Sequence, residues 1–166
     1  MPDGRIVQYA YDTDGNITSI TPPGKSAHLF SYTSTDQTSG YAPPNIGAGS
    51  NGTIYTYDLD RSLTQIRRPD GQLVTIAYDE ASRPSSINPG SPSLPLETFG
   101  YNATSGKLTA INSADGVTLG YTYNGALLTG MTWTGLVAGA VGKSYDGGFS
   151  SNIDDRQWNK PNRLRL

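Results

Sequence analysis

Three oxygen-bearing side chains near the N-terminus have the spacing of a calcium-binding loop. Asp12, Asp14 and Asn16 occupy alternate positions, as the first three ligands of an EF-hand do. Such a loop also needs Gly at its sixth position and Glu at its twelfth, where this chain has Ile17 and Pro23. We therefore expect these carboxylates to form turns, and the sequence predicts no bound metal and no cofactor.

Acid–base and nucleophilic catalysis lack the residues that they need. The only histidine is His28, and no Gly-x-Ser-x-Gly motif presents a nucleophilic serine. The adjacent acidic pairs Asp79-Glu80 and Asp154-Asp155 are typical of solvated turns and tails rather than of acid–base pairs. No catalytic residue is predicted, and we do not expect the chain to be an enzyme.

A glycine-rich segment, residues 47–52, matches the G-x-G-x-x-G pattern of dinucleotide-binding loops. In those proteins the motif follows a strand and opens a helix whose N-terminus binds the phosphates. Here Pro43-Pro44 precede the motif, and a strand-like run, residues 53–57, follows it. This context predicts an extended loop between two units rather than a nucleotide site.

An internal repeat determines the secondary structure that would position any functional site. A Tyr-Asp dipeptide or a variant of it recurs at intervals of 21, 25, 21, 23, 22 and 22 residues. This regular spacing indicates tandem units that must stack on one another to be stable. The seven copies are Tyr11-Asp12, Tyr32-Thr33, Tyr57-Asp58, Tyr78-Asp79, Tyr101-Asn102, Tyr123-Asn124 and Tyr145-Asp146.

Further marks within each unit indicate β-hairpins. A glycine-bearing turn precedes several of the tyrosines, as Asp70-Gly71 precedes Tyr78, and predicts a two-residue hairpin turn. The intervening alternation places Val74, Ile76 and Tyr78 on one face of a strand. We expect the tyrosine to end its strand with its ring in the core and its hydroxyl on water or a carbonyl. The following Asp or Asn is expected to accept a hydrogen bond in the next turn.

An apolar pair follows five of the seven tyrosines, six and nine positions later in three of them, as Ile17 and Ile20 follow Tyr11. The separation of three does not fit the period of two of a regular strand. It indicates either a β-bulge or a strand that is buried on both faces, and the sequence leaves both open.

Composition supports an all-β chain in which long helices are not expected. The 166 residues include 20 Gly, 11 Pro and 11 Tyr, and the formal charge is -2 with no block of one sign. This charge pattern argues against nucleic acid and anionic lipid as partners. With no Cys, the chain has neither disulfides nor sulfur-ligated zinc.

The ends of the chain and its hydropathy bear on targeting. No apolar run approaches the roughly 20 residues of a membrane-spanning helix. Met1 is followed directly by Pro2-Asp3-Gly4-Arg5, which predicts no signal peptide. We interpret Met1 as the start added to an excised fragment.

Residues 11–20 and residues 66–71 leading to Tyr78-Asp79 closely resemble the RHS/YD-repeat family, and the similarity extends from residue 1 to about residue 150. The family includes bacterial polymorphic toxins, the shell components of insecticidal Tc toxins and the animal teneurins. The resemblance implies tandem repeats that coil a long β-sheet into a hollow shell, which encloses a C-terminal toxin in bacterial members. The autoproteolytic core motif of the bacterial shells has no match here, so self-cleavage is not predicted.

The sequence thus predicts an all-β fold of tandem β-hairpin repeats in a curved, open antiparallel sheet. Residues 1–150 form the repeat segment, and residues 151–166, which carry four basic residues, form a non-repeat tail. That tail is interpreted as a frayed end, with a cloning remnant or a short docking segment as alternatives. Seven units are too few to enclose a toxin, so we expect a stretch of shell wall.

The resemblance implies a structural role in a larger protein, secreted or on a bacterial cell surface, that encapsulates or presents a C-terminal toxin. The expected partners are neighbouring repeats of a parent chain or a second copy, joined through sheet edges. Toxin cargo and glycans are further candidate partners. The alternative function is an adhesive or carbohydrate-binding surface, on which exposed tyrosines, Trp133 or Trp158 stack on sugar rings.

Overall fold

The computed structural model describes residues 4–44, 52–91, 93–146 and 149–154, and in these residues every regular element is a β-strand. The residues fall into two compact units, one within Met1–Ala77 and Pro89–Ser91 and the other within Tyr78–Asn88 and Pro92–Leu166. The predicted all-β class and the tandem hairpins of an open antiparallel sheet are confirmed.

The strands of the first unit lie side by side in chain order, and each described pairing is antiparallel. The terminal strand β1 pairs with β2 alone among the described strands. The strands are β1 (Gln8–Tyr11), β2 (Ile17–Thr21), β3 (His28–Tyr32), β4 (Thr38–Ala42), β5 (Thr53–Tyr57), β6 (Leu63–Arg67) and β7 (Leu73–Tyr78), whose last residue belongs to the second unit.

The second unit repeats this arrangement with strands that are again ordered as in the chain. Its last strand continues past residue 150, where the repeats were predicted to end. The strands are β8 (Pro84–Asn88), β9 (Glu97–Tyr101), β10 (Leu108–Ser113), β11 (Thr118–Asn124), β12 (Leu127–Thr134), β13 (Gly139–Asp146) and β14 (Phe149–Asp154).

The repeated tyrosine marks the end of each odd-numbered strand. Tyr11, Tyr32, Tyr57, Tyr78 and Tyr101 are the last residues of their strands, and the two later copies are the second-to-last residues of theirs. The predicted position of the tyrosine is therefore confirmed. A tight turn then leads into the even-numbered strand of the same repeat.

A β-bulge explains the three-residue separation of the apolar pair. Tyr11 pairs with Ile17, but Ala10 pairs with Ser19, so that Thr18 is left as an extra residue. The bulge brings Ile20 opposite Tyr9. The pair of Tyr9 and Ile20 thus lies on the same face of the sheet as the pair of Tyr11 and Ile17. The same register shift occurs at Tyr32, Tyr57, Tyr101, Tyr123 and Tyr145.

Strand pairing decides in favour of the bulge, although all five residues of β2 are half-buried. Three of the odd-numbered strands, by contrast, have one covered and one exposed face. In β7, Val74, Ile76 and Tyr78 are half-buried, as predicted for one face, whereas Leu73, Thr75 and Ala77 are exposed. β3 and β5 show the same alternation. The tyrosine side is the better covered face of the sheet.

The expectation that the tyrosine rings lie in a fully buried core is wrong. Among the described residues no side chain is fully buried, and the tyrosines at the ends of β3, β5, β7 and β9 are half-buried. The hairpins place these rings on the surface of a sheet, where residues of neighbouring strands partly cover them. Lateral contact between repeats consequently replaces a central core as the main source of apolar burial.

The Asp-Gly turns are one residue longer than predicted. The Gly71 amide donates to the Arg68 carbonyl, and the Arg68 amide donates to the Gln72 carbonyl. Gly71 has a φ of 83°, while Asp70 is not among the residues with positive φ. This is a β-turn followed by a left-handed glycine, the pattern of a three-residue hairpin loop. Asp70 accepts the Gln72 amide through Oδ1 at 3.0 Å.

Candidate functional site

The surfaces between successive repeats contain a recurring hydrogen bond from tyrosine to the main chain. The Tyr32 hydroxyl donates to the Ile17 carbonyl at 2.9 Å, and Ile17 is the residue that pairs with the tyrosine of the preceding repeat. We call the four bonds of this kind the tyrosine ladder. They are Tyr32 to Ile17, Tyr57 to Thr38, Tyr101 to Pro84 and Tyr145 to Leu128, at 2.7–2.9 Å.

The tyrosine ladder confirms that the hydroxyl of a repeated tyrosine can reach a carbonyl. Because each donor lies one repeat after its acceptor, each bond joins two hairpins. Tyr123 differs, since its ring lies 5.0 Å from the Lys107 ammonium and no ladder bond from it is among the described contacts. The ladder therefore fixes the register between repeats at four junctions.

The acid of the repeat organises the turn that follows the tyrosine. Asp79 Oδ1 accepts the amides of Ala81 and Arg83 at 2.9 and 3.0 Å. Its Oδ2 accepts a 2.8 Å hydrogen bond from Arg83 Nε and lies 2.6 Å from Arg83 Nη2. The hydrogen bonds from the Arg83 side chain and amide hold the pKa of Asp79 below its ordinary value.

Asp12 forms the equivalent turn in the first repeat, where Asn16 takes the place that Arg83 has beside Asp79. Its Oδ1 accepts the amides of Asp14 and Asn16 at 3.0 and 2.8 Å, and its Oδ2 accepts the Asn16 side-chain amide at 3.1 Å. Partial desolvation raises the pKa of Asp12, but the hydrogen bonds from Asn16, Asp14 and Gly15 together lower it below its ordinary value. The predicted role as a turn former is confirmed for the carboxylates of Asp12 and Asp79.

A second set of contacts links each of these turns to the next. The Asn16 side-chain amide donates to Asp36 Oδ1 at 2.8 Å, and the Gln37 side-chain amide donates to the Arg61 carbonyl at 2.9 Å. Arg83 Nη1 donates to the Gly106 carbonyl at 3.2 Å. In each case the donor is five residues after the repeated tyrosine, and the acceptor belongs to a left-handed residue of the next turn.

The Arg83 side chain makes three different contacts. It pairs with Asp79 in its own turn, donates to Gly106 in the next turn, and places its guanidinium 4.2 Å from the centroid of the Tyr101 ring. Tyr101 in turn donates its hydroxyl to the Pro84 carbonyl. Arg83 therefore connects the acid of one repeat to the tyrosine of the next.

The extra residue of each described bulge is a serine or threonine, and in four of the bulges its hydroxyl contacts the strand before it. Thr64 Oγ1 donates to the Thr56 carbonyl at 3.2 Å, and Thr109 Oγ1 donates to the Gly100 carbonyl at 3.1 Å. Ser39 Oγ donates to Ser31 Oγ at 3.1 Å. A hydroxyl at the bulge thus supplies a bond where the regular ladder is interrupted.

The sole histidine lies at the first position of β3 and is engaged in packing. His28 Nδ1 is 2.8 Å from the Tyr41 hydroxyl, and the two rings are stacked with their centroids 6.0 Å apart. Tyr41 also contacts Phe30 across the strand pair. This environment is that of an aromatic cluster on a sheet.

The other candidate residues are spread over different parts of the chain. Glu80 is exposed, and Asp154 is the last residue of β14. Trp133 is half-buried and faces Gly139 on the neighbouring strand, so that one side of its indole covers a backbone. Asp155 and Trp158 lie outside the described residues, as does most of the glycine motif in residues 47–52.

Neither a metal cluster nor a membrane-spanning helix is found in the described part of the chain. No three His, Cys, Asp or Glu side chains come together there in a way that could hold a metal ion. No helix long and apolar enough to cross a membrane occurs in those residues.

Two sets of contacts were missed from the sequence, one between repeats and one within each repeat. The linking role of Arg83 has a local signal, because Asp79 and Arg83 are four residues apart, but its second partner in the next repeat has none. The bulge hydroxyls do have a signal that can be read, since Ser or Thr recurs one residue after the first member of the apolar pair. Examples are Thr18, Ser39, Thr64, Ser85, Thr109 and Thr129.

Comparison with known proteins gives one family and several structures. The family model "Teneurin YD-shell" matches residues 1–155. The Tc holotoxin pore of Photorhabdus luminescens, carrying the TccC3-D651A mutation, superposes with a TM-score of 0.75 at 15% identity over 89% of this chain. The TcdB2-TccC3 complex superposes with a TM-score of 0.69 at 14% identity over 92% of it.

These structural matches show similarity of fold, and they concern much larger molecules. The chain spans about 9% of the length of each of the two proteins. No curated protein sequence is significantly similar to the chain.

Proposed function

Because the chain belongs to the teneurin YD-shell family, we propose that it is a stretch of wall in a larger shell that encapsulates or presents a C-terminal toxin. Membership of this family and the likeness to Tc toxin shell proteins support a structural segment of a shell. The enclosed toxin is the part that we add. It follows the resemblance of the repeats to bacterial shells of this type.

The tyrosine ladder is the observation that carries the proposal. The described residues include no fully buried side chain, so the shape of a wall built from them cannot depend on a central core. Hydrogen bonds from Tyr32, Tyr57, Tyr101 and Tyr145 to the preceding repeat supply rigidity in the plane of the sheet. The hydrogen bond from Arg83 to the next turn also holds two neighbouring repeats together.

We assign no catalytic residue, metal or cofactor to this segment. The side chains with perturbed proton affinity, Asp12 and Asp79, are held by the amides of their own turns. His28 is held by Tyr41. These groups act as structural parts of the repeat, in keeping with a role in a secreted or cell-surface shell.

Protease protection in the full-length polypeptide that carries this segment tests the proposal. We expect the region C-terminal to the repeats to resist a broad-specificity protease while the shell is intact and to be digested once the shell is unfolded. The same region expressed without the repeats is the control, and it should be digested at once. Equal digestion rates in the intact protein and in the control would refute encapsulation.

The carbohydrate-binding alternative stays a prediction and gains no specific support from the site. Trp133 uses one side of its indole to cover Gly139, and the repeated tyrosines use their hydroxyls between repeats. A glycan array with the purified chain tests this alternative directly. Binding that is lost in Trp133→Ala would establish it.

A further inference from the structure

The face of the sheet opposite the repeated tyrosines contains a cavity in the first unit. Leu29 of β3 and Ile54 of β5 both lie on this exposed face. The strand between them, β4, presents small residues there, with Ala42 opposite Leu29. Gly40 of the same strand lies opposite Ile54. The resulting cavity has a volume of about 460 Å³ and is also lined by Arg67. We call these five residues and the space that they line the trough.

The trough is apolar, open to solvent and narrow. Leu29 and Ile54 are 51% and 46% exposed. Because β4 separates β3 from β5, the backbones of the two outer strands lie roughly 9.5 Å apart. An α-helix, about 10–12 Å across with its side chains, does not fit between the two walls. A single hydrocarbon chain fits in that width.

An extended peptide is also a poor occupant of the trough. The hydrogen bonds of β4 are directed sideways to β3 and β5, so its main chain has no groups to offer a segment lying over it. A peptide placed there would bury its own amides and carbonyls without partners. A ligand with an apolar body and few polar groups avoids this loss.

One cation beside the trough is available to a ligand. Arg67 lies opposite Ile54 and is exposed, and within the described part of the chain its guanidinium has neither a hydrogen bond nor an ion pair. Arg68 is different, since its Nη2 is 3.0 Å from Asp70 Oδ2. Asp70 is the one acidic side chain among the described residues that line the cavity, and Arg68 neutralises it. The net charge beside the trough is therefore positive.

We propose that the trough binds a linear aliphatic carboxylate. The hydrocarbon chain lies over Gly40 and Ala42, between Leu29 and Ile54, and its carboxylate accepts hydrogen bonds from the Arg67 guanidinium. A planar carboxylate suits this cation because it can accept two parallel hydrogen bonds from it. A concave apolar surface with one charged group that fixes orientation is the usual form of a small-molecule site. Ligand binding of this kind goes beyond the proposed wall function and does not depend on it.

Titration of the chain with decanoate, below the concentration at which decanoate forms micelles, provides the test. Amide NMR shifts are recorded at a protein concentration where sedimentation shows monomers. We expect saturable shifts at Gly40, Ala42 and Ile54. Decyltrimethylammonium, which has the same chain and a positive head group, should bind at least about tenfold more weakly because it forms no hydrogen bond with Arg67.

Two substitutions separate the charge of the site from its shape. Arg67→Gln should weaken decanoate binding about fivefold and should leave the weak binding of the cationic amphiphile unchanged or stronger. Lys25→Gln, which removes an exposed cation of the same unit outside the cavity, is the control and should change decanoate binding less than about twofold.

Ala42→Leu fills the floor of the trough and should weaken the binding of both amphiphiles at least about tenfold. Ala77→Leu adds the same side chain on the same face of β7, outside the cavity, and should leave binding unchanged. NMR spectra of the four variants without ligand show whether each keeps the fold.

Several results would overturn the proposal. Absence of decanoate binding would do so, as would shifts that do not saturate, since these indicate an adventitious amphiphile on the surface. Equal binding of the anionic and cationic amphiphiles, or binding that Arg67→Gln leaves unchanged, would exclude recognition of the carboxylate. Equal effects of Ala42→Leu and Ala77→Leu would place the ligand outside the trough. No toxin is present in these experiments, so their outcome is independent of the protease test of encapsulation.

Discussion

Removal of the hydroxyl from one inner tyrosine measures how much the tyrosine ladder stabilises the stacked repeats. The Tyr57 hydroxyl donates to the Thr38 carbonyl at 2.8 Å. The residue is half-buried and lies opposite Leu63 in the neighbouring strand. One net hydrogen bond contributes about 1 kcal/mol, so Tyr57→Phe should lower the free energy of unfolding by that amount. Truncation of a fully buried aromatic ring costs about 3–5 kcal/mol. For a half-buried ring we expect about 2 kcal/mol, and Tyr57→Ala should therefore cost about 3 kcal/mol in all.

Urea denaturation followed by amide exchange at residues of the first unit gives both values, because the first unit contains Tyr57 and no tryptophan. Tyr11→Phe is the control, because it removes a hydroxyl at the same repeat position that has no described partner. It should change the free energy of unfolding by less than about 0.3 kcal/mol. Equal small losses in Tyr57→Phe and Tyr11→Phe would refute the stabilising role of the ladder. A loss near 5 kcal/mol in Tyr57→Ala would show that the ring behaves as core.

Three further outcomes are expected. The pKa of Asp79 is lowered in the folded chain, so the stability that it contributes is present above its ordinary unfolded value and is lost as pH falls through the folded one. Arg83→Met should weaken this acid dependence in denaturation curves measured from pH 6 to pH 2. Gly71→Ala should cost about 1 kcal/mol because the residue has a φ of 83°, whereas Ser82→Gly, at a φ of 58°, should stabilise the chain by a few tenths of a kcal/mol in the same assay. Gly139→Ala should destabilise the second unit and shift the tryptophan emission, since the added Cβ would collide with the facing indole; unchanged emission would contradict that packing.

The repeat could be predicted from the sequence because its signals are local. The positions of the tyrosines, the turn role of Asp12 and the exposed and covered faces of β7 all follow from spacing and residue type. The bulge was one of two readings of a three-residue separation, and strand pairing was needed to choose between them. The turn at Asp70-Gly71 was predicted one residue too short because the same dipeptide serves both kinds of hairpin loop.

The half-burial of the tyrosine rings and the contacts between repeats could not be predicted from the sequence pattern. Tyrosine at a regular period indicates a packed surface, but the pattern does not tell whether a facing layer exists. The contact between Arg83 and Gly106 joins residues 23 positions apart, and their proximity depends on how two hairpins stack. The acceptors of the tyrosine ladder are main-chain carbonyls, which leave no mark on the side chains that supply them.

Because the acceptors are main-chain carbonyls, the tyrosine ladder tolerates many mutations in the gene. Ile17, Thr38, Pro84 and Leu128 include aliphatic, hydroxyl and cyclic side chains, yet each residue offers its main-chain carbonyl to the next tyrosine. Point substitutions at these positions leave the hydrogen bond between the two repeats intact. An in-frame duplication or deletion of one whole repeat brings another tyrosine and carbonyl together in the same way. Protein length can therefore vary in steps of one hairpin, and sequences can drift to 15% identity while the fold still superposes with a TM-score of 0.75.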